Sequence, residues 1–101
     1  MKATKKVVWS DKAIQSLRSI YDFISEDSKP AADKVVEELL RATSQLTNHP
    51  EKFQLDEFYP IENQTVRRFF RWSYRVVYEI NIDSINILNI IHTSQEPNVD
   101  K

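Results

Sequence analysis

The sequence predicts an α+β fold in which a helical hairpin packs on an antiparallel sheet, in the element order β-α-α-β-β-β. Three observations lead to this prediction. Apolar residues recur at helical spacing over residues 12–25 and again over residues 29–46. Apolar and polar residues then alternate with the period of a strand over residues 74–82. Residues 65–95 contain the most apolar run of the chain together with its densest cluster of arginines.

Composition limits the class of protein. A chain of 101 residues is predicted to form one domain, residues 1–101, with a modest core. Its 14 basic and 15 acidic residues nearly balance, so the protein as a whole should not attract polyanions. It has no cysteine for a disulfide or thiolate metal site and no glycine for a phosphate-binding loop, and we expect no cofactor. Lacking a bilayer-length apolar run, it is predicted to be cytoplasmic, without a membrane partner.

The N-terminal half contains a short strand and the two helices. Residues 5–9 are prone to form a strand that stops at Ser10, which can cap the first helix. Residues 26–30 break the helical pattern, and Ser28 with Pro30 in the first turn indicates the start of a second helix. Two helices that each have an apolar face and are joined by so short a turn are predicted to pack as an antiparallel pair.

The C-terminal half is predicted to supply three adjacent antiparallel strands. Residues 50–62 fit neither period, so we expect a loop anchored by its aromatic residues. Strands then follow over residues 65–72, 74–80 and 85–91. The last is β-branched on both phases and should lie inside the sheet. Asn81 and Asp83 tolerate left-handed angles and can reverse the chain between the last two strands. The polar tail after Ile91 predicts no helix.

Arginines concentrate where acids are scarce. Residues 63–80 contain four arginines and one acid, whereas residues 51–62 contain four acids and one lysine. Guanidinium groups with Phe70, Trp72 and Tyr74 nearby suit phosphate binding, base stacking or an acidic protein groove. The alternative is a solvated strand face whose arginines pair with Glu79, Glu62 or Asp83. The candidate binding residues are Arg67, Arg68, Arg71, Trp72 and Arg75.

His92 is the one candidate proton carrier at the end of a predicted strand. Its ordinary pKa lies near neutrality, which suits general acid–base catalysis, although a lone histidine is more often structural. His49, beside a helix-ending proline, is better explained as a cap. No serine–histidine–aspartate spacing, phosphate loop or HExxH motif is present.

Several stretches resemble the RelE/ParE family of toxins from bacterial toxin–antitoxin systems. Together they cover nearly the whole chain in order, and the family's element order matches the one predicted above. The stretches are Val-Trp-Ser at 8–10, Ile-Tyr-Asp-Phe-Ile at 20–24, Arg-Arg-Phe at 67–69, Tyr-Arg-Val-Val-Tyr-Glu-Ile at 74–80, Ile-Asn-Ile-Leu at 85–88 and Ile-Ile-His at 90–92.

The resemblance implies a toxin that is neutralised by an antitoxin in a hetero-oligomer, and it leaves two targets open. ParE-like members bind DNA gyrase, which needs no proton chemistry. RelE-like members cleave messenger RNA in the ribosome, which would assign catalysis here to Arg68, Arg75 and His92, with Tyr78 a weaker proton carrier. The tail departs from that pattern, since no arginine, lysine or tyrosine occupies residues 93–97. The sparse catalytic inventory favours ParE-like binding. A decayed toxin that retains only antitoxin binding is a third reading.

Overall fold

The computed structural model describes residues 5–58 and 65–95. Two helices pack on one face of a five-stranded sheet whose strand order is β1-β5-β4-β3-β2. None of the described helices is both long and apolar enough to cross a membrane. The elements are β1 (Lys6–Trp9), α1 (Asp11–Ser25), α2 (Lys29–Ser44), β2 (Gln54–Leu55), β3 (Val66–Arg71), β4 (Tyr74–Ile80) and β5 (Ser84–His92), with single 3₁₀ turns at Gln45–Thr47, Pro50–Lys52 and Thr93–Gln95.

Both helices start at the serines predicted to cap them. The Ser10 hydroxyl accepts a hydrogen bond from the Ala13 amide at 3.0 Å, and the Ser28 hydroxyl accepts one from the Ala31 amide at 3.2 Å. Each bond satisfies an amide that has no partner within its helix, which fixes where the helix begins. The helical hairpin is confirmed.

The sheet matches the prediction in its centre and extends it at both edges. Strands β3, β4 and β5 pair antiparallel in sequence order, as predicted, and β5 lies inside the sheet. Strand β1 pairs parallel with β5, so the five-stranded sheet is mixed rather than wholly antiparallel. Strand β2 pairs antiparallel with β3. The loop predicted over residues 50–62 therefore contains a 3₁₀ turn and a two-residue strand. Tyr59, Glu62 and residues 96–101 lie outside the described residues.

The core lies between the helices and the sheet. Ala13 and Ala32 are fully buried, where small side chains allow the backbones of two elements to approach closely. The larger core side chains come from α2, from the 3₁₀ turn that follows it and from the three central strands: Leu39, Leu46, Phe69, Val76, Tyr78, Ile85, Ile87 and Ile90.

A β-bulge explains why β5 is apolar on both phases. The β4–β5 register shifts between Val77 and Tyr78, so that Val76 pairs with Ile90 while Tyr78 pairs with Ile87. The extra residue lies in β5, and it directs the side chains on its two sides along the strand to opposite faces from those of a regular strand. As a result Ile87 and Ile90, which a regular strand would direct to opposite faces, both join the core. The reversal between β4 and β5 forms as predicted and is closed by Asn81 N–H donating to Ser84 O at 2.8 Å. It uses no left-handed residue, contrary to expectation.

Candidate binding surface

The strand register divides the four arginines between the two faces of the sheet. Arg67 and Arg71 pair with Tyr78 and Tyr74, which face the helices. Arg68 and Arg75 lie on the opposite face, which we call the outer face, because side chains alternate along a strand. The cluster seen in the sequence is therefore not one surface.

Arg75 forms a buried ion pair on the outer face. Its Nη1 donates to the Asp56 carboxylate, and the two side chains are 5% and 0% exposed. The Phe58 ring covers the guanidinium at 4.5 Å, and the other Asp56 oxygen accepts from the Phe58 amide at 3.0 Å. Arg75 thus anchors residues 56–58 to the sheet.

Arg68 makes a second anchor beside the first. Its Nε and Nη2 donate to the two oxygens of Glu57 at 3.0 and 2.8 Å, a bidentate arrangement. These hydrogen bonds hold the pKa of Glu57 below its usual range. The Arg68 guanidinium also stacks over the Phe70 ring at 5.0 Å. Arg68 and Arg75 therefore bind consecutive carboxylates of the segment that follows β2.

The two arginines on the helix face are also engaged. Arg67 Nη1 donates to Phe53 O at 2.6 Å, which ties β3 to the turn before β2. Its buried Nε has no hydrogen-bond partner among the residues that the structure describes. Arg71 Nε donates to Glu38 of α2 at 3.1 Å. Glu38 also accepts two hydrogen bonds from Arg41, and these lower its pKa, with Arg71 contributing further.

The described carboxylates that bind three of the arginines are not among those considered in the sequence, of which Glu62 lies outside the described residues. The carboxylates that bind Arg68, Arg71 and Arg75 belong to Glu57, Glu38 and Asp56, rather than Glu79 or Asp83. The acidic composition of residues 51–62 was the signal for two of them. No signal in the sequence pointed to Glu38, because the contact depends on how α2 crosses the sheet.

His92 lies on the helix face, away from Arg68 and Arg75. Its ring meets the Tyr74 ring edge-on at 5.2 Å, and its Nδ1 is 2.7 Å from the Ser94 hydroxyl. An open groove runs between α1 and the ends of β4 and β5, lined by Ser16, Ser19, Phe23, Tyr74, Ile90 and His92. Among the three residues assigned to catalysis in the nuclease alternative, His92 is therefore separated from Arg68 and Arg75 by the thickness of the sheet.

Tyr78 is a structural residue in this geometry. It is fully buried, and its hydroxyl donates to Pro50 O at 2.6 Å. Burial raises its pKa to about 12. A phenol that is buried and already bonded to a carbonyl cannot exchange protons with an RNA substrate near neutral pH.

Trp72 is the most exposed of the candidate binding residues. It occupies the first position of the two-residue turn between β3 and β4, with φ 53°, and it is 60% exposed. The neighbouring Phe70, on the outer face, is 45% exposed. Within residues 5–58 and 65–95, no group of three or more histidine or acidic side chains could hold a metal ion.

Comparisons with known proteins agree with this architecture. The family model described as "ParE toxin of type II toxin-antitoxin system, parDE" matches residues 7–97. A solved structure titled "Chromosomal ParDE TA system from P. aeruginosa" superposes with a TM-score of 0.74 at 22% sequence identity, over 88% of this chain and 96% of that one. No curated protein sequence matches the chain. The resemblance to RelE/ParE toxins is therefore confirmed, on the ParE side: the chain belongs to the family of ParE toxins of type II toxin–antitoxin systems.

Proposed function

We propose that this ParE-type toxin arrests growth by binding DNA gyrase, and that a cognate antitoxin neutralises it by binding the toxin directly. The observation that carries the proposal is the placement of the candidate catalytic groups. His92 faces the helices, whereas Arg68 and Arg75 face the opposite side of the sheet. That arrangement supports inhibition by binding rather than by catalysis.

RNA cleavage by 2′-hydroxyl attack requires a base, an acid and positive charge around one phosphate. A general base must come within hydrogen-bond reach of the proton it removes, about 3 Å. Arg75 is buried against Asp56, and Tyr78 is buried against Pro50 O. Neither Arg68 nor Arg75 shares a face of the sheet with His92. Arg71 does lie on the helix face with His92, but its guanidinium is paired with Glu38. The geometry thus gives the ribosome-dependent nuclease no specific support.

The antitoxin should be an extended or helical segment that is both acidic and apolar. Strand β1 is one edge of the sheet, and the exposed side chains of Lys6 and Val8 lie along it. An added strand could pair there, which is a common mode of peptide recognition and removes the aggregation risk of an open edge. The groove between α1 and the ends of β4 and β5 offers a second surface with apolar contacts.

The test compares both targets with one protein preparation. Purified toxin is added to a gyrase supercoiling assay and to a translating ribosome, with and without the protein encoded by the neighbouring gene. We expect loss of supercoiling, intact messenger RNA, and recovery when the antitoxin is present. Cuts at fixed codon positions in the messenger RNA, together with normal supercoiling, would reject gyrase inhibition and support the ribosome-dependent nuclease.

Growth measurements separate an active toxin from a decayed one. Expression of the chain alone should arrest bacterial growth, and co-expression with the neighbouring gene should restore it. Normal growth with folded toxin present, together with antitoxin binding, would establish a decayed toxin and reject the proposal.

A further inference from the structure

An exposed tryptophan lies on unfavourable backbone at the tip of the β3–β4 hairpin. Trp72 has φ 53°, and among residues 5–58 and 65–95 it is the only non-glycine residue with a positive φ. The first central position of a tight hairpin turn requires a positive φ, and glycine or asparagine normally supplies it. A side chain with a Cβ is disfavoured there. Tryptophan is thus a poor choice for the turn itself.

Packing does not account for the choice either. The side chain is 60% exposed, and Phe70 next to it is 45% exposed. Strained backbone that places a large side chain in solvent is typical of functional sites, where the unfavourable geometry aims a side chain at a ligand. Tryptophan is also among the residues that most often dominate binding energy at protein interfaces.

We propose that Trp72 is the main contact of the toxin with its protein target, inserting its indole into an apolar pocket with an acidic rim. The inference rests on the proposed function and names the part of the toxin that touches the target. Phe70 lies on the outer-face side of the same hairpin, and Arg71, whose side chain is 32% exposed, directly precedes the turn on the helix face.

The charges around the hairpin favour a protein over a nucleic acid. Single-stranded nucleic acids bind to aromatic side chains set in a groove of uncompensated positive charge. Among the described residues, Arg68 is paired with Glu57, which leaves no net charge. Arg41 and Arg71 share the carboxylate of Glu38, so that group of three carries one net positive charge. One partly exposed guanidinium beside an indole fits a pocket with a carboxylate at its edge.

The first experiment compares Trp72→Gly and Trp72→Ala with Ile82→Gly. Ile82 is the matched control because it is 86% exposed and has no positive φ. It lies in the β4–β5 turn, at the opposite end of β4 from Trp72. Both Trp72 variants should raise the toxin concentration for half-inhibition of supercoiling about thirtyfold, as expected for an interface hot spot. Ile82→Gly should retain wild-type potency.

Thermal unfolding shows that the loss is not a folding defect. Glycine accepts the left-handed angle that alanine resists, so Trp72→Gly should melt at or above the temperature of Trp72→Ala. If Trp72→Gly is folded and as potent as the wild type, the proposal is overturned.

The second experiment detects the contact itself. In a Trp9→Phe protein labelled with 5-hydroxytryptophan, position 72 carries the only such fluorophore and can be excited apart from the tryptophans of gyrase. Adding gyrase should shift its emission and protect it from an aqueous quencher. A comparable change with a single-stranded oligonucleotide in place of gyrase would overturn the protein-pocket assignment.

Failure of this inference is distinguishable from failure of the proposed function. If wild-type toxin blocks supercoiling while the label at position 72 does not respond and Trp72→Gly is fully potent, gyrase inhibition stands and Trp72 is not the contact. If wild-type toxin leaves gyrase unaffected, the gyrase proposal is rejected, and growth arrest then tests Trp72 against another target. Loss of arrest in Trp72→Gly but not in Ile82→Gly would support Trp72 as the contact, and equal arrest by both variants would reject it. Absence of arrest by folded wild-type toxin rejects both.

Discussion

Arg75 and His92 occupy neighbouring antiparallel strands but opposite faces of the sheet. Arg75 pairs with Ile91, and Tyr74, one residue earlier, pairs with His92 and contacts its ring. A displacement of one residue moves a side chain to the other face of a strand. The Arg75 guanidinium and the His92 imidazole therefore lie on opposite sides of the sheet.

Removing Arg75 should destabilise the protein. Arg75→Ala leaves the Asp56 carboxylate buried without its ion pair, and breaking such a pair costs about 3–5 kcal/mol. Urea denaturation measures the change. Arg68→Ala is the comparison, because it leaves Glu57, which is 58% exposed, in contact with water rather than buried without a partner. Although the Arg68 side chain is itself only 15% exposed and loses its packing on Phe70, this substitution should cost less than Arg75→Ala. Equal effects of the two substitutions would contradict the structural role of Arg75, and any lost growth arrest in Arg75→Ala should track the lost folded protein.

The acid stability of the protein should depend on Glu38. Hydrogen bonds from Arg41 and Arg71 hold its pKa below the ordinary value of 4.5. Because the folded-state pKa is the lower one, the ionised form stabilises the fold above pH 4.5, and this contribution disappears as the pH falls through the folded-state pKa. Glu38→Gln should therefore lose less stability than the wild type between about pH 5 and 3.

Glu37→Gln is the matched control for that measurement. Glu37 is the adjacent, exposed carboxylate of α2 and makes no ion pair among the described residues. Chemical unfolding at a series of pH values should show the same dependence of unfolding free energy on pH for Glu37→Gln as for the wild type. Superimposable profiles for Glu38→Gln and the wild type would show that the Glu38 contacts do not persist in solution.

Tyr78→Phe should change stability without changing toxicity. The substitution removes the hydrogen bond to Pro50 O and should cost about 1 kcal/mol near neutral pH. Because folding raises the pKa of this phenol from 10.0 to about 12, the neutral form stabilises the fold below pH 10, and that contribution is lost as the pH rises through 12. Unfolding measured above pH 10 should show a shallower decline for Tyr78→Phe. Loss of growth arrest in the folded variant would indicate a role in proton transfer.

His92→Ala should retain growth arrest if the toxin acts by binding. The ring contacts Tyr74 and Ser94, so its removal should affect mainly the end of β5. Growth curves after induction, with toxin levels measured by immunoblot, give the comparison. A large loss of arrest at equal folded protein, accompanied by loss of message cleavage, would favour the nuclease.

The predicted elements came from patterns that are local. Serine caps, helical spacing and strand alternation act within a few residues, so they placed both helices and the three antiparallel strands close to their observed bounds. Strand β2 was not predicted, because a strand of two residues is too short to show an alternation of apolar and polar side chains. The parallel pairing of β1 with β5 joins residues that are 78 apart, as in Val7 with Ile85, and no local pattern specifies such a partner.

The sequence by itself determined the order of every helix and strand except β2, the apolar faces that make the core, and membership of a toxin family, because each is encoded in short-range periodicity or in motifs. Only the tertiary structure decided what the arginines contact. Their carboxylate partners lie 11, 19 and 33 residues away, and each pair forms only when the strand register and the crossing of α2 bring the charges together. The same register separated Arg68 and Arg75 from His92 and left Trp72 exposed at the hairpin tip.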